Sequence, residues 1–355
     1  MTYRVAIVGG RGAHVTSYNE HSDCDVVAVA NPTLASARRF ADKHGIPGVY
    51  TDHVEMILEA EPHIVSVVTP EITHADIVLD IARTGIPEAI HCEKAMAHTF
   101  GGALRMTRAC SSRDIQLTIH HQYRFKPGFR EASDAIQDGY IGNVTQVSYG
   151  FPDLFTHGTH SIDLCGMYND ERPAEWVIGQ IDYRTENIHR GTHNENQAFG
   201  MWAYDNGVFG IGSTQLGQSF VDEAGATEDI AVPYSIHNRI DGTNGTLLVV
   251  QEHRADGPKF VLIGRQRGNT WEQLPVSETN HSDRLAINDV ISGLTGTHQS
   301  ELCADNALKT TEILFGVWES SRRRGRIDLP LDITDNPIEE MVDHGMLTPD
   351  PSADT

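Results

Sequence analysis

In the first 125 residues the apolar positions fall in short unbroken runs: YRVAIVGG (3–10), DVVAVAN (25–31), IVSVVTP (64–70), EAIHCEK (88–94) and IQLTIHH (115–121). A run that is apolar at odd and even positions alike belongs to a strand covered on both faces. Between the runs lie stretches such as PTLASARRFADKHG and HADIVLDIARTG, with helical spacing and a closing glycine. The alternation predicts a doubly wound parallel sheet over residues 1–125, with helices on both faces. After residue 125 the runs lengthen and alternate. GNVTQVSYGF, AEWVIGQIDYR, NQAFGMWAYDNGVFGIGSTQ, YSIHNRIDGTNGTLLVV and PKFVLIGRQ read as strands joined by turns such as Asn206-Gly207 and Asn244-Gly245. With the helical stretches HSDRLAINDVISGL and CADNALKTTEILFGVWESSRRRG they predict an α+β domain over 126–335, built on an open, largely antiparallel sheet. The fold class is therefore α/β. Residues 331–355 contain seven acidic residues, no Lys or Arg, and several prolines. The end of the chain, 336–355, is expected to be an acidic tail, an extended arm or partly disordered.

The length of 355 residues fits two cores better than one. Hydrophobic residues make up 39% and charged residues 21%, as in folded soluble chains. There is no apolar run of about 18 residues, so no membrane span is expected. The opening MTYRVAIVGG lacks a basic region ahead of an apolar one, so a signal peptide is not expected. Cys24, Cys92, Cys110, Cys165 and Cys303 are scattered and contain no CxxC. That pattern fits reduced thiols in a cytoplasm and excludes a zinc ribbon or disulfide framework. The net charge of −22 repels nucleic acid and anionic membranes, and neither is expected as a partner. Only five lysines occur, at 43, 94, 126, 259 and 309. A salt-adapted surface and an arginine-favouring genome both account for this.

The first run ends in Gly9-Gly10-Arg11-Gly12-Ala13-His14-Val15. Glycines between a first strand and a first helix let a pyrophosphate approach the N–H groups of the helix start. Read as G-x-G-x-x-G, the frame is Gly10, Gly12 and Val15, so the third glycine is missing. The ribose hydroxyls are normally held by a carboxylate about twenty residues on. Asn31 stands there instead. It can bond a hydroxyl and does not repel a 2′-phosphate, which Arg11, Arg38 or Arg39 would neutralise, so NAD and NADP both stay open. Thr69 and Pro70 follow a strand, at the carboxyl edge where such sheets bind ligands. His74 starts the next helix, as a cofactor contact or a plain helix-start residue.

Glu93 and Lys94 follow another strand at the same edge. A desolvated lysine beside a cofactor can carry a proton near neutral pH, and Glu93 can orient the ammonium or the ribose. His157 and His160 stand in FTHGTHSID (155–163), and His189 and His193 in HRGTH. None accompanies a His/Asp cluster of zinc spacing, so no metal is expected.

Taken together, the strand-one glycines, VVTPEITHADI, CEKAMA, HQYRFKP, GTHSID, DGTNGTLLV and ALKTTEILFGVWESSRRRGRIDLPL resemble the glucose–fructose oxidoreductase/inositol dehydrogenase (Gfo/Idh/MocA) family, in its order and across nearly the whole chain. The resemblance implies a Rossmann domain, a second sheet domain that makes homodimers or homotetramers, and NAD or NADP as cofactor. The family's Glu-Lys-Pro falls on Glu93-Lys94-Ala95, with Lys94 as the implied catalytic lysine. Its Asp, His and Asp fall on Thr156, His160 and Asp163, so the first carboxylate is replaced by a hydroxyl. Lys94 and His160 are the implied proton-transfer pair, one from each domain. Tyr123, Arg124, Thr156, His157 and Asp163 are the expected substrate contacts, with His120 and His121 lining the same cleft. The expected activity is hydride transfer between nicotinamide and a secondary hydroxyl of a sugar, glycoside or cyclitol. Two alternatives are a glycosidase working through transient oxidation and elimination, and a nucleotide-sensing regulator without catalysis.

Overall fold

The structure is a computed structural model that describes residues 2–10, 12–150, 153–214, 234–254 and 257–351. The chain forms two compact units. The first comprises Met1–Gln122, Arg190–Thr192 and His281–Leu308; the second comprises Tyr123–His189, His193–Asn280 and Lys309–Thr355.

The elements of the first unit are β1 (Tyr3–Gly9), α1 (Gly12–Glu20), β2 (Cys24–Ala30), α2 (Leu34–His44), β3 (Gly48–Tyr50), α3 (His53–Ala60), β4 (Ile64–Val68), α4 (His74–Thr84), β5 (Ala89–Cys92), α5 (Phe100–Ser111) and β6 (Gln116–Ile119). The six strands form one parallel sheet in the order β3-β2-β1-β4-β5-β6, the doubly wound order of a Rossmann domain. Both faces are covered, as the unbroken apolar runs require. Tyr3, Val5 and Ile7 point into a core with Val15 and Tyr18 of α1 and Phe40 of α2. Ala6 and Val8 point into the other, with Met56 of α3, Val78 of α4 and Met106 of α5. Strand β3 has three residues, too few to make a recognisable apolar run.

The second unit contains α6 (Phe129–Gln137), β7 (Val144–Gly150), α7 (Thr159–Met167), β8 (Ala174–Asp182), β11 (Gln197–Tyr204), β12 (Phe209–Ser213), β13 (Tyr234–Gly242), β14 (Gly245–Arg254), β15 (Gly257–Gln266), β16 (Glu272–Leu274) and β17 (Ile327–Asp328); β9 (Ile188–His189) and β10 (Thr192–His193) are two-residue strands. Its sheet has nine strands in the order β16-β15-β14-β13-β7-β12-β11-β8-β17. Every pair is antiparallel except β7 with β12.

Helices α8 (Ser282–Leu294) and α9 (Ala304–Arg323) follow. The first lies outside the expected boundaries. Ile287 and Ile291, one turn apart, are buried in the core of the first unit beside Val15 and Tyr18, so 281–308 join that unit and not the 126–335 domain. The expectation of an extended acidic tail is also corrected. Residues Pro337–Asp343 form α10, capped by Asn336, with Ile338 and Met341 buried, so this segment packs despite its charge.

Helix α9 covers the second sheet at one close point. Gly179 of β8 and Gly200 of β11 are direct cross-strand partners. A Cβ at Gly179 would lie 2.7 Å from Val317, and one at Gly200 2.6 Å from it. Two adjacent glycines thus make the groove into which Val317 of α9 fits. Trp318, next along the helix, is fully buried. The neighbouring positions Ile178 and Phe199 face away from the helix and are partly exposed. Gly200→Ala is expected to lower stability by about 1–3 kcal/mol through overpacking. Adding Val317→Ala should recover part of the loss, a coupling readable from urea midpoints of the four chains in the cycle.

Candidate active site

The chain leaves β1 at a position that only glycine can take. Gly9 has φ +110°, and a Cβ on it would stand 2.4 Å from the Val68 carbonyl oxygen, so only glycine fits. Gly10, exposed, and Gly12, which opens α1, continue the turn, and Ala13 lies in the first turn of the helix. Arg11 lies outside the described residues. Asn31 donates through Nδ2 to the Gly9 carbonyl oxygen at 2.9 Å, which ties the end of β2 to the turn.

A cavity of about 450 Å³ opens here, lined by Gly10, Gly12, Asn31, Ser36, Arg39, Phe40 and Lys43. It has the place and the wall chemistry for the adenosine end of a dinucleotide. The lining corrects one expectation. Arg39 lines the cavity and Arg38 does not, because the two point about 100° apart around α2. Lys43, one turn after Arg39, was not singled out from the sequence; its i,i+4 spacing from that arginine was the available signal.

At the carboxyl edge, Thr69 is half-buried and accepts a hydrogen bond from Thr73 at 2.9 Å, and Pro70 is exposed. His74 is fully buried. Its Nδ1 lies 2.9 Å from the Ala95 carbonyl oxygen and its Nε2 3.0 Å from that of Thr69. Both ring nitrogens face backbone carbonyl oxygens, and the nitrogen that carries the proton donates to one of them, so His74 helps to tie two edge loops. Glu93 is also buried, and its Oε1 lies 3.3 Å from His14 Nε2. Burial alone would raise its pKa; the contact with His14, together with His120 and Lys94, outweighs burial and lowers it. Its carboxylate thus faces inward and not toward a ribose. Lys94 is half-buried immediately beyond, and its peptide bond to Ala95 is cis. His120 and His121 are buried, His120 against His91 and His14, so the former lines no cleft.

In the second unit the stretch FTHGTHSID is a turn of π-helix, Leu154–Gly158, that leads directly into α7. Asp153 begins it. Its Oδ1 accepts from Thr156 N at 2.6 Å and His157 N at 2.8 Å, and its Oδ2 pairs with His157 Nδ1 at 2.8 Å. Burial would raise the Asp153 pKa, but these bonds, those of His157 first, lower it. His157 is half exposed, and Asn194 donates to Thr156 Oγ1 at 3.2 Å. His160 is buried in the first turn of α7 and stacks on Tyr123, with ring centres 4.1 Å apart and planes 8° apart. Lys126 Nζ lies 3.3 Å from the Tyr123 ring centre, a cation–π contact.

Arg124 and Asp163 are not substrate contacts. Arg124 is buried, and its Nε and Nη2 each lie 2.7 Å from an Asp163 oxygen, while Nη1 bonds Glu171. Asp163 is 1% exposed and answers that fork in bidentate fashion. The pair fastens the segment after β6 to α7. Of the other histidines, His193 Nδ1 lies 2.6 Å from the Tyr183 hydroxyl.

Asp153 and Glu195 were not anticipated. Asp153 stands three residues before Thr156, the spacing of a helix cap. Glu195 is fully buried, accepts from Leu154 N, and accepts from Trp318 Nε1 at 2.9 Å. Nothing local in the sequence marks it, since both partners are distant.

Residues 3–121 match the profile of an oxidoreductase family with an NAD-binding Rossmann fold (GFO_IDH_MocA). The match covers the first domain alone. It is similar to the rhizopine catabolism protein MocA of Rhizobium meliloti, 35% identical over 149 residues, 41% of this chain and 46% of that one. Over 339 residues it is 22% identical to the D-apiose dehydrogenase of Rhizobium rhizogenes, covering 86% of this chain and 90% of that protein. The chain thus spans under half of the first of these relatives and nearly all of the second. Its fold is that of the Caulobacter crescentus aldose-aldose oxidoreductase solved with glycerol, with a TM-score of 0.72 at 17% identity, covering 93% of this chain and all of that one.

Burial pushes the Glu195 carboxyl up to about 7 from an ordinary 4.5, against the lowering effect of the Leu154 amide. A raised folded-state pKa gives stability that is full below the unfolded value and lost as pH rises through the folded one. The stability advantage of wild type over Glu195→Gln should therefore shrink as pH rises from about 4.5 to 7, by at most about 3 kcal/mol. Denaturant unfolding of both chains across that window measures it; a constant difference would contradict the assignment.

Proposed function

We propose that this chain is an oxidoreductase that uses NADP and transfers hydride between it and a secondary hydroxyl of a sugar, glycoside or cyclitol. The supporting observation is the edge of the first domain: a cavity walled by Arg39 and Lys43, with neutral Asn31 in the usual carboxylate position, and Lys94 just beyond β5. Bound nicotinamide supplies the hydride acceptor or donor.

This chain's residues supply the rest. The Gly9–Gly12 turn leaves room for a pyrophosphate against the start of α1, where N–H groups and the helix dipole favour an anion. Arg39 and Lys43 neutralise a 2′-phosphate, and Asn31 does not repel it. Lys94 takes up or returns the hydroxyl proton at Nζ. His160, fixed by its stack on Tyr123, orients and polarises the hydroxyl. Thr156 has no charge to offer, but a carboxylate is retained three residues earlier: Asp153 holds His157 by its Nδ1 and turns it into a fixed polar group beside Thr156. The sugar class draws support from the names of the relatives, a D-apiose dehydrogenase among them.

Screening sugars and cyclitols with both cofactors, in both directions, tests the reading. Net formation of reduced cofactor separates it from redox-neutral glycoside cleavage, and any turnover separates it from nucleotide sensing. Lys94→Ala is expected to lower kcat by about 10²–10⁴-fold with cofactor binding retained; turnover within tenfold of wild type would refute the role. Arg39→Ala with Lys43→Ala should raise the KM for NADP tenfold or more while that for NAD changes less than about threefold. Equal losses for the two cofactors would count against the phosphate pocket.

A further inference from the structure

Three histidines of the first unit, far apart in sequence, are brought together beneath the nucleotide turn. His14 comes from α1, His91 from β5, and His120 follows β6. All three are at most 1% exposed, and one ligand-capable nitrogen from each lies within 4.8 Å of the other two. His91 Nε2 and His120 Nδ1 are 2.9 Å apart. Glu93 adds a carboxylate, its Oε1 3.3 Å from His14 Nε2, a separation at which that buried nitrogen still lacks a well-aligned hydrogen bond among the described residues.

The outward nitrogens are what make this a built site. His14 Nδ1 lies 2.8 Å from Ser66 Oγ, His91 Nδ1 2.7 Å from Thr118 Oγ1, and His120 Nε2 3.1 Å from Asp283 Oδ1. Each imidazole therefore has an oxygen behind it and a nitrogen turned toward the others. That is the arrangement of metal-binding histidines, whose second ring N–H is held by a carboxylate or another oxygen, which fixes the tautomer and the ring direction. Asp283, which only accepts when ionised, favours the His120 proton on Nε2, so that Nδ1 is the acceptor toward His91 Nε2, the proton that a bound cation would replace.

We propose that His14, His91, His120 and Glu93 form a binding site for one divalent transition cation of the zinc class. Three imidazoles and one carboxylate are a donor set that such ions accept in tetrahedral geometry. Ligands about 2.0–2.1 Å from the ion sit about 3.3 Å from one another, so the His91–His120 pair has only to open by a few tenths of an ångström. Glu93 and the nearby Asp283 balance the charge of the cation. The site is closed, which marks it as structural: it ties α1, β5 and the end of β6 together directly behind Lys94. It differs from the histidine pairs of residues 157–193, and it does not depend on the activity proposed above.

The full-length chain, stripped with a chelator and titrated with Co²⁺, tests the site. One equivalent of cobalt should bind with the visible d–d absorption of a four-coordinate ion, Zn²⁺ should displace it, and either metal should raise the thermal midpoint. His91→Gln should abolish the stoichiometric binding. Asp283→Asn, at a partly exposed position that spares the fold, should keep one equivalent but weaken it by about 10–100-fold. Absence of a stoichiometric site in the wild type, or unchanged cobalt affinity in Asp283→Asn, would overturn the proposal and leave the cluster a metal-free hydrogen-bonded chain.

Discussion

The ends of β1 and β4 approach so closely that no side chain fits between them. Gly9 pairs with Val68, and the space that its Cβ would need is taken by the Val68 carbonyl oxygen. Much of the first domain follows from that contact. The chain leaves β1 at a residue that must be glycine, and α1 starts at Gly12, which lines the cavity. The direction of α1 in turn sends Val15 and Tyr18 into one core and His14 down toward Ser66 on β4. A residue larger than glycine at position 9 would disturb the nucleotide edge and the buried histidines alike.

The 153–163 segment of the second unit depends on a different device. The FTHGTHSID loop is held from below by carboxylates of unlike character. Asp153 is ionised by the hydrogen bonds that it receives, and it caps the loop and grips His157. Glu195 is buried, which makes it resist ionisation, and it bonds the Leu154 amide and the Trp318 indole. The buried Arg124–Asp163 fork then anchors α7. Breaking such a pair on one side leaves an uncompensated buried charge, which costs far more than the pair contributes.

Much of the fold was legible because unbroken apolar runs have few structural solutions. Strands β1, β2, β4, β5 and β6 were all read from such runs, and the doubly wound order follows from their connections. The short β3 escaped because three residues carry no period. Helix α8 was recognised as a helix, but periodicity reports that Ile287 and Ile291 are buried without saying in which core. The same limit applies in the site. The motifs place Lys94 just after β5 and His160 at the start of α7, whereas the commitment of Arg124 to Asp163, of His74 to backbone carbonyl oxygens, and of Glu93 to His14 depends on partners that only folding brings near. A polar residue at a sheet edge looks the same in sequence whether it faces a ligand or a neighbour.

The positively charged wall of the nucleotide cavity sits in a chain of net charge −22. Attraction at Arg39 and Lys43 acts over contact distance, while the excess of carboxylates repels an anionic dinucleotide from afar. Salt screens the distant charges over a Debye length of about 8–10 Å and leaves partly buried contacts less affected. Added salt therefore removes more of the barrier to encounter than of the grip after it. Most proteins that bind anions capture them more slowly as ionic strength rises; a pocket of this kind, set in a repelling surface, reverses that trend in the rate of capture.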